Sequence, residues 1–298
     1  MSEIIHYDHC PACGSAEISF MLKAKDETVS AAYFEVWECN SCTLRFTQDV
    51  PDQKNIGKYY ESSAYISHSN TSQGIVNKLY HAVRSITLQS KRRLVEKSSG
   101  KKTGKLLDVG AGAGAFASTL EKNGWNVTGL EPDDTARANA RKDFAIELQP
   151  TENLFLLQPN TFDVITLWHV LEHVHELHTY LDTFYSLLAD NGTLIIAVPN
   201  YTSYDASAYS ANWAAYDVPR HLYHFSPKSM ASLLKAHQFK LTRQKPMWFD
   251  SFYVSLLSEK YASGKNGYLR AFAKGSLSNL KAVAKPENCS SVTYIAKK

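Results

Sequence analysis

One eleven-residue stretch, Leu106 to Phe116 (LLDVGAGAGAF), restricts this chain more than any other. Apolar residues running up to Asp108 and Val109 read as a buried strand. Gly110, Gly112 and Gly114 then alternate through a turn into a helical run. Alternate glycines let the backbone pass close to a ligand, and the N–H groups that open the helix face that ligand. A strand, glycine turn and helix in this order belong to a sheet crossed by helices, so an α/β fold is expected.

The pattern that follows agrees. Strands are expected at Lys105–Val109, Asn126–Leu130, weakly near Ile146–Leu148, at Phe162–Leu167, Thr193–Val198, Lys240–Trp248 and Ser291–Ala296. Helices fall between them at about Ala113–Asn123, Asp133–Lys142, Glu176–Leu188 and Lys228–His237. Strands alternating with helices imply a Rossmann-like, seven-stranded, mostly parallel sheet covered by helices on both faces. Glu131 ends the strand after the glycine turn, about 20 residues on, where an acidic side chain holds ribose hydroxyls in such folds.

Ahead of this zone the chain reads differently. Cys10-Pro-Ala-Cys13 and Cys39-Asn-Ser-Cys42 are two CxxC pairs flanking short β-type stretches. Four thiolates so spaced fit a tetrahedral structural zinc with no position left for substrate, and the metal would stand in for a core the segment is too short to build. A redox role fits poorly, because neither pair opens a helix after a thioredoxin-like strand. Three zones are therefore expected: a zinc-ribbon-like module at 1–52, a tyrosine-rich linker with a helix at 53–104, and the α/β domain at 105–298. The leftover Cys289 reads as a buried thiol.

The motifs in register carry a resemblance. LLDVGAGAGAF, GLEPD, FDVITLWHVLEHV and LLADNGTLIIAVPN resemble the successive motifs of class I S-adenosylmethionine-dependent methyltransferases, over roughly Lys105 to Phe239. The GxGxG spacing after an Asp also favours that cofactor over a dinucleotide. The resemblance implies that Asp108, Gly110, Gly112 and Gly114 lie near the methionine moiety, Glu131 on the ribose, and Trp168 and its neighbours along the site. For the adenine, Glu152 and Asn153 are the expected contacts. CNSCTLRF and KYYESSAYISHS resemble, more loosely, the zinc-binding N-terminal region of deoxysugar C-methyltransferases, which implies that Tyr60 and Tyr65 reach the acceptor. DVPRHLYHFSP resembles the broad group that includes ubiquinone-biosynthesis O-methyltransferases.

Candidate catalytic residues are His169, His173, His221, Tyr60 and Tyr65, since an imidazole facing a methyl donor can take a proton from the attacking acceptor. A lid built from the tyrosine patch and the Trp213 to His224 loop is expected. The acceptor is expected to be a small molecule, a sugar or a hydroxylated or phenolic metabolite. An RNA or protein methyltransferase gripping its substrate through the zinc module is the alternative, and a non-catalytic cofactor-binding protein comes last. A net charge of +3 and 20% charged residues make no demand for a polyanionic partner. No long apolar run or leader-type start is seen, so a cytoplasmic chain without a membrane partner is expected. The sequence leaves the oligomeric state open.

Overall fold

The computed structural model describes residues 3–61, 75–265 and 267–298. In chain order the elements are β1 (Ile4–Ile5), β2 (Ile18–Lys25), β3 (Tyr33–Cys39), β4 (Arg45–Thr47), β5 (Val50–Pro51) and α1 (Ile75–Ser99). Then come β6 (Lys105–Val109), α2 (Ala115–Glu121), β7 (Asn126–Leu130), α3 (Asp134–Phe144), β8 (Phe162–Trp168), α4 (Leu177–Leu187) and β9 (Leu188–Pro199). The last part holds α5 (Tyr204–Tyr209), β10 (Tyr223–His224), α6 (Pro227–Ala236), β11 (Lys240–Pro246), α7 (Asp250–Ser263), α8 (Tyr268–Ala284) and β12 (Ser291–Lys297).

The principal sheet runs β11-β12-β9-β8-β6-β7. Neighbours from β7 to β9 are parallel, while β12 lies antiparallel to both β9 and β11. Six strands therefore stand where seven were expected. The segment Ile146–Leu148 forms no ladder; it tucks its two apolar side chains against Ala117 and Ala140, and only Gln149 bridges to Leu130. Outermost and short, it gains more from burying those side chains than from a hydrogen-bonded edge.

The central strands are apolar throughout because both of their faces are covered. On one face Leu106, Val164, Ile195 and Ile295 pack beneath Val95 of α1 and Phe116 and Leu120 of α2. On the other, Leu107, Ile165, Leu167, Leu194 and Ile196 meet Leu181 and Phe184 of α4 and Leu233 and Leu234 of α6. That second core continues without a break into Cys39, Leu44, Phe46 and Val50 of the N-terminal zone.

The cysteine-bearing zone is joined to the rest by backbone as well. Its sheet has the order β10-β4-β3-β2, so the outer strand comes from residues 223–224, with Tyr223 opposite Phe46 and His224 opposite Arg45. The N–H of Thr47 donates to the carbonyl of Leu222 at 2.9 Å, and the Leu222 N–H donates to that of Glu172 at 2.8 Å. Among the described residues no helix is long and apolar enough to cross a membrane.

Candidate functional site

The glycine turn follows β6 at the carboxyl edge of the sheet, where open α/β sheets place their ligands. Its three glycines do different things. Gly110, at φ +69°, lies so close to the loop after β8 that a Cβ would meet Val170 Cγ2 at 2.4 Å. Gly114 opens α2 at φ +76° and presses on Ala140 of α3. Only Gly112, at φ +54°, faces open space, with nothing within 4 Å of the place a Cβ would take.

Glu131 ends β7 beside that space. One carboxylate oxygen accepts the Gly112 N–H at 2.8 Å and the other the Asp133 N–H at 3.1 Å, which fixes the carboxylate at the rim. Burial pushes its pKa above the usual carboxylate value, and these two bonds pull it back in part. Asp108 lies beneath the turn, 1% exposed, and accepts a hydrogen bond from Thr166 Oγ1 at 2.7 Å. Burial drives its carboxyl up to about 7 against that bond and against the Lys91 charge.

Lys91 comes from α1. Its ammonium sits 4.3 Å from the Trp168 ring centroid, and Phe116 meets the same ring edge to face at 5.5 Å. Burial lowers the Lys91 pKa, while the charges of Asp250 and Asp108 pull it back up in part. Glu152 and Asn153 lie on the turn Thr151–Leu156, directly after Gln149, whose carbonyl accepts the Glu131 N–H at 2.9 Å. Glu152 is exposed, and the Asn153 amide donates to Gln149 Oε1 at 3.1 Å. Two buried polar atoms border this region without a protein partner, Thr151 Oγ1 and Trp168 Nε1.

These residues fit S-adenosylmethionine. Open space at Gly112, a fixed carboxylate able to accept from a ribose diol, and unmatched polar atoms on either side suit a polar, ribose-bearing ligand. Asp108 is buried beneath the turn, where its bond from Thr166 ties β6 to β8.

The acceptor side is built from the residues after β8. His169 takes a left-handed backbone conformation, φ +60°, which places its ring between Asp250 of α7, at 2.9 Å, and Glu172, at 3.4 Å. Burial alone would push His169 down, but the two carboxylates raise it to about 10, so it is an imidazolium at neutral pH. His173 behaves in the opposite way. Burial and the neighbouring His221 push it down to about 4, so it is neutral. The rings of His173 and His221 meet edge to face at 4.6 Å, and the hydroxyl of Tyr60 lies 3.0 Å from His173 Nδ1. His169, His173, His221 and Tyr60 thus share one corner of the sheet edge. Tyr65 lies outside the described residues.

The Trp213 to His224 loop is a wall here, not a lid. Trp213, Tyr216, Val218 and Arg220 are all buried. Arg220 fastens the wall: it pairs with Asp217 at 2.6 Å and with the fully buried Asp26 at 3.2 Å, and it donates to the carbonyl of Tyr59 at 2.9 Å. Burial pushes Asp26 up, but hydrogen bonds from Ser30 and Thr28 and the Arg220 charge outweigh it and hold the carboxyl below the usual range.

The four cysteines converge as their spacing implied. Their sulfurs lie within 4.8 Å of one another, with Cys10 and Cys42 at 3.5 Å and Cys13 and Cys39 at 3.6 Å. Zinc–thiolate bonds of ~2.3 Å in a tetrahedron put sulfurs about 3.8 Å apart, so the set matches a structural zinc. The N–H groups of Ala12 and Cys42 point at the sulfurs of Cys10 and Cys39, each at 3.5 Å, as donors to thiolates should.

Lys91 and Asp250 escaped the sequence reading. They reach the site from helices far along the chain and belong to no local motif. Lys91 turns inward, Arg92 pairs with Glu96, and Lys101 pairs with Asp163.

Known proteins extend this picture. A family model described as a methyltransferase domain matches residues 81–244, more than half of the chain. A ubiquinone biosynthesis O-methyltransferase from Actinobacillus pleuropneumoniae is 33% identical over 118 residues, 36% of this chain and 50% of that protein. Its counterpart from Xanthomonas campestris is 25% identical over 161 residues, covering 49% and 66%. The chain thus spans only half to two thirds of the length of these relatives. A solved structure from Galdieria sulphuraria, titled as a sarcosine dimethylglycine methyltransferase, superposes with a TM-score of 0.50 at 15% identity, covering 74% of this chain and 88% of that one; it supports the fold alone. With the glycine turn, Glu131 and the post-β8 segment in register, and with the family match spanning all three, the chain belongs to the S-adenosylmethionine-dependent methyltransferases.

Proposed function

We propose that the protein transfers the methyl group of S-adenosylmethionine to a hydroxyl oxygen of a small, phenol-like acceptor. The observation that carries this reading is the polar cluster of Tyr60, His173, His221 and Glu172 gathered around the segment that follows β8. When bound, the cofactor supplies an electrophilic methyl on a sulfonium. The protein then has to hold an acceptor oxygen in line with it, keep water out, and take charge of the hydroxyl proton. As the new O–C bond forms the old S–C bond breaks, leaving a neutral thioether, and the hydroxyl proton is lost to solvent through the polar corner.

His169 and His173 divide this work. His169, already protonated and clamped by Asp250 and Glu172, is unsuited to be a base and holds the loop after β8 in place. His173 is neutral and offers a lone pair to the incoming hydroxyl. The phenol ring of Tyr60 and the faces of Trp168 and Phe116 supply apolar walls, and aromatic faces also attract a sulfonium. Glu131 and Gly112 are assigned to the ribose and the glycine turn to the methionine end. Glu152 and Asn153 remain the proposed adenine edge.

Relatives named as ubiquinone biosynthesis O-methyltransferases support a phenolic acceptor. The N-terminal residues 1–52 are assigned to a zinc-ribbon-like module that supports the acceptor wall from outside. The test is transfer of labelled methyl from the cofactor into catechols and simple phenols, with deoxysugars, total RNA and a protein fraction run alongside. Label in the phenols that is abolished by His173→Ala supports the reading; label confined to sugars, RNA or protein overturns it.

A further inference from the structure

Among the described residues Glu172 has only a loose partner, the His169 ring. Its side chain is fully buried, and neither carboxylate oxygen accepts a well-formed hydrogen bond from them. A buried carboxylate is costly unless charge or donors surround it. The nearest cation, His169, stands 3.4 Å from one oxygen and gives its better contact to Asp250.

Beside Glu172 stand two imidazoles, His173 and His221. His173 Nδ1 lies 3.0 Å from the carbonyl of Arg220, and His221 Nδ1 lies 2.9 Å from that of Ala215. A carbonyl only accepts, so each Nδ1 carries the proton and each Nε2 is left with its lone pair. One ring nitrogen from each histidine and one Glu172 oxygen lie within 4.8 Å of one another. Among the described residues the corner therefore gathers acceptors, the Tyr60 hydroxyl reaching His173 only at Nδ1, while backbone carbonyls fix the orientation of both rings.

From this geometry we propose that Glu172, His173 and His221 form a second metal site, separate from the four cysteines, for a first-row divalent transition metal. Two imidazoles and one carboxylate suit zinc, iron(II), cobalt(II) or manganese(II), whereas magnesium and calcium favour oxygen-only cages. Outer-sphere carbonyls on Nδ1 are the usual support of metal-binding histidines. Three protein ligands leave at least one position open. The proposal rests on the reading of this corner as the acceptor's polar end, and it gives that position to the acceptor oxygen. A hydroxyl bound there is acidified, so the cation takes over from His173 the task of freeing the oxygen before methyl transfer. Asp217, 3.9 Å from His221 Nε2, is engaged by Arg220 and stays outside the set.

The test is metal stoichiometry on the full chain, stripped with a chelator under reducing conditions, reloaded with zinc and assayed by elemental mass spectrometry. Wild type should hold two zinc ions; Glu172→Gln and His221→Ala should each hold one, and Cys13→Ser should lose the other. Retained cysteine-bound zinc in the first two variants shows that they fold. In thermal unfolding, zinc added to protein already holding its cysteine-bound ion should raise the midpoint of wild type and leave Glu172→Gln unmoved. A single zinc in wild type, two in Glu172→Gln, or a midpoint that moves equally in both overturns the proposal. Two zinc ions in a protein that methylates no phenol would uphold the metal site while refuting the acceptor assigned above.

Discussion

Replacing Gly110 and Gly112 separately by alanine should divide one motif into a folding function and a binding function. Both residues sit at positive φ, +69° and +54°, where a Cβ costs ~1–2 kcal/mol. They differ in what the methyl meets. At Gly110 it would stand 2.4 Å from Val170 Cγ2, an overlap the packed loop after β8 can relieve only by moving, at a further ~1–3 kcal/mol. Gly110→Ala should thus lose ~2–5 kcal/mol of folding free energy, and the double variant Gly110→Ala/Val170→Ala should recover the steric part. At Gly112 the methyl meets nothing within 4 Å in the cofactor-free protein. Gly112→Ala should lose only the backbone portion, and the overlap should appear in the complex instead. The same ~1–3 kcal/mol taken from binding is roughly a 5- to 150-fold loss of affinity for S-adenosylhomocysteine. Urea unfolding measures the first quantity and titration calorimetry the second. Wild-type affinity in Gly112→Ala, or equal destabilisation of the two single variants, would refute the assignment of the open space at Gly112 to the cofactor.

Two further outcomes follow from buried charge. Arg220→Met keeps the bulk of a 1%-exposed side chain but leaves Asp26 and Asp217 unpaired; removing one partner from such a set costs ~3–5 kcal/mol, to be read from urea unfolding. Asp108 titrates in the opposite sense to most paired carboxylates. Its folded value, about 7, lies above its unfolded one, so folding takes up a proton and the associated stability is lost as pH rises from about 4 towards 7. Asp108→Asn keeps the Thr166 bond and should lack that loss; parallel stability–pH curves for the two cofactor-free proteins over this range would contradict the burial argument.

Much of the cofactor side was legible in the sequence because its signals are local. The turn, Glu131 and the segment after β8 each occupy a few consecutive residues whose spacing is dictated by a single strand end. The cysteine set was legible for a similar reason, since two short knuckles announce four ligands. What escaped was assembled from a distance. Lys91 and Asp250 arrive from α1 and α7, and nothing near either residue marks it as facing a pocket. His169 and His173 were both named, yet their opposite protonation could not be inferred, because it depends on Asp250 and Glu172 beside one ring and on burial next to His221 for the other. The strand expected near Ile146 failed because its apolar residues found a helical surface, where alternation counts for less than fit.

The ladder between β4 and β10 has a consequence for how the chain reaches its final form. It joins Phe46 to Tyr223, so the cysteine-bearing sheet gains its outer strand only after some three-quarters of the polypeptide exists. Contacts of such sequence separation are entropically slow to close and favour late assembly. During synthesis the N-terminal segment must therefore persist with one sheet edge open, a state prone to pairing with other chains. A metal ion clasping Cys10, Cys13, Cys39 and Cys42 early would hold that segment in register until residues 223–224 arrive, giving the zinc knuckles a part in the order of folding as well as in the finished protein.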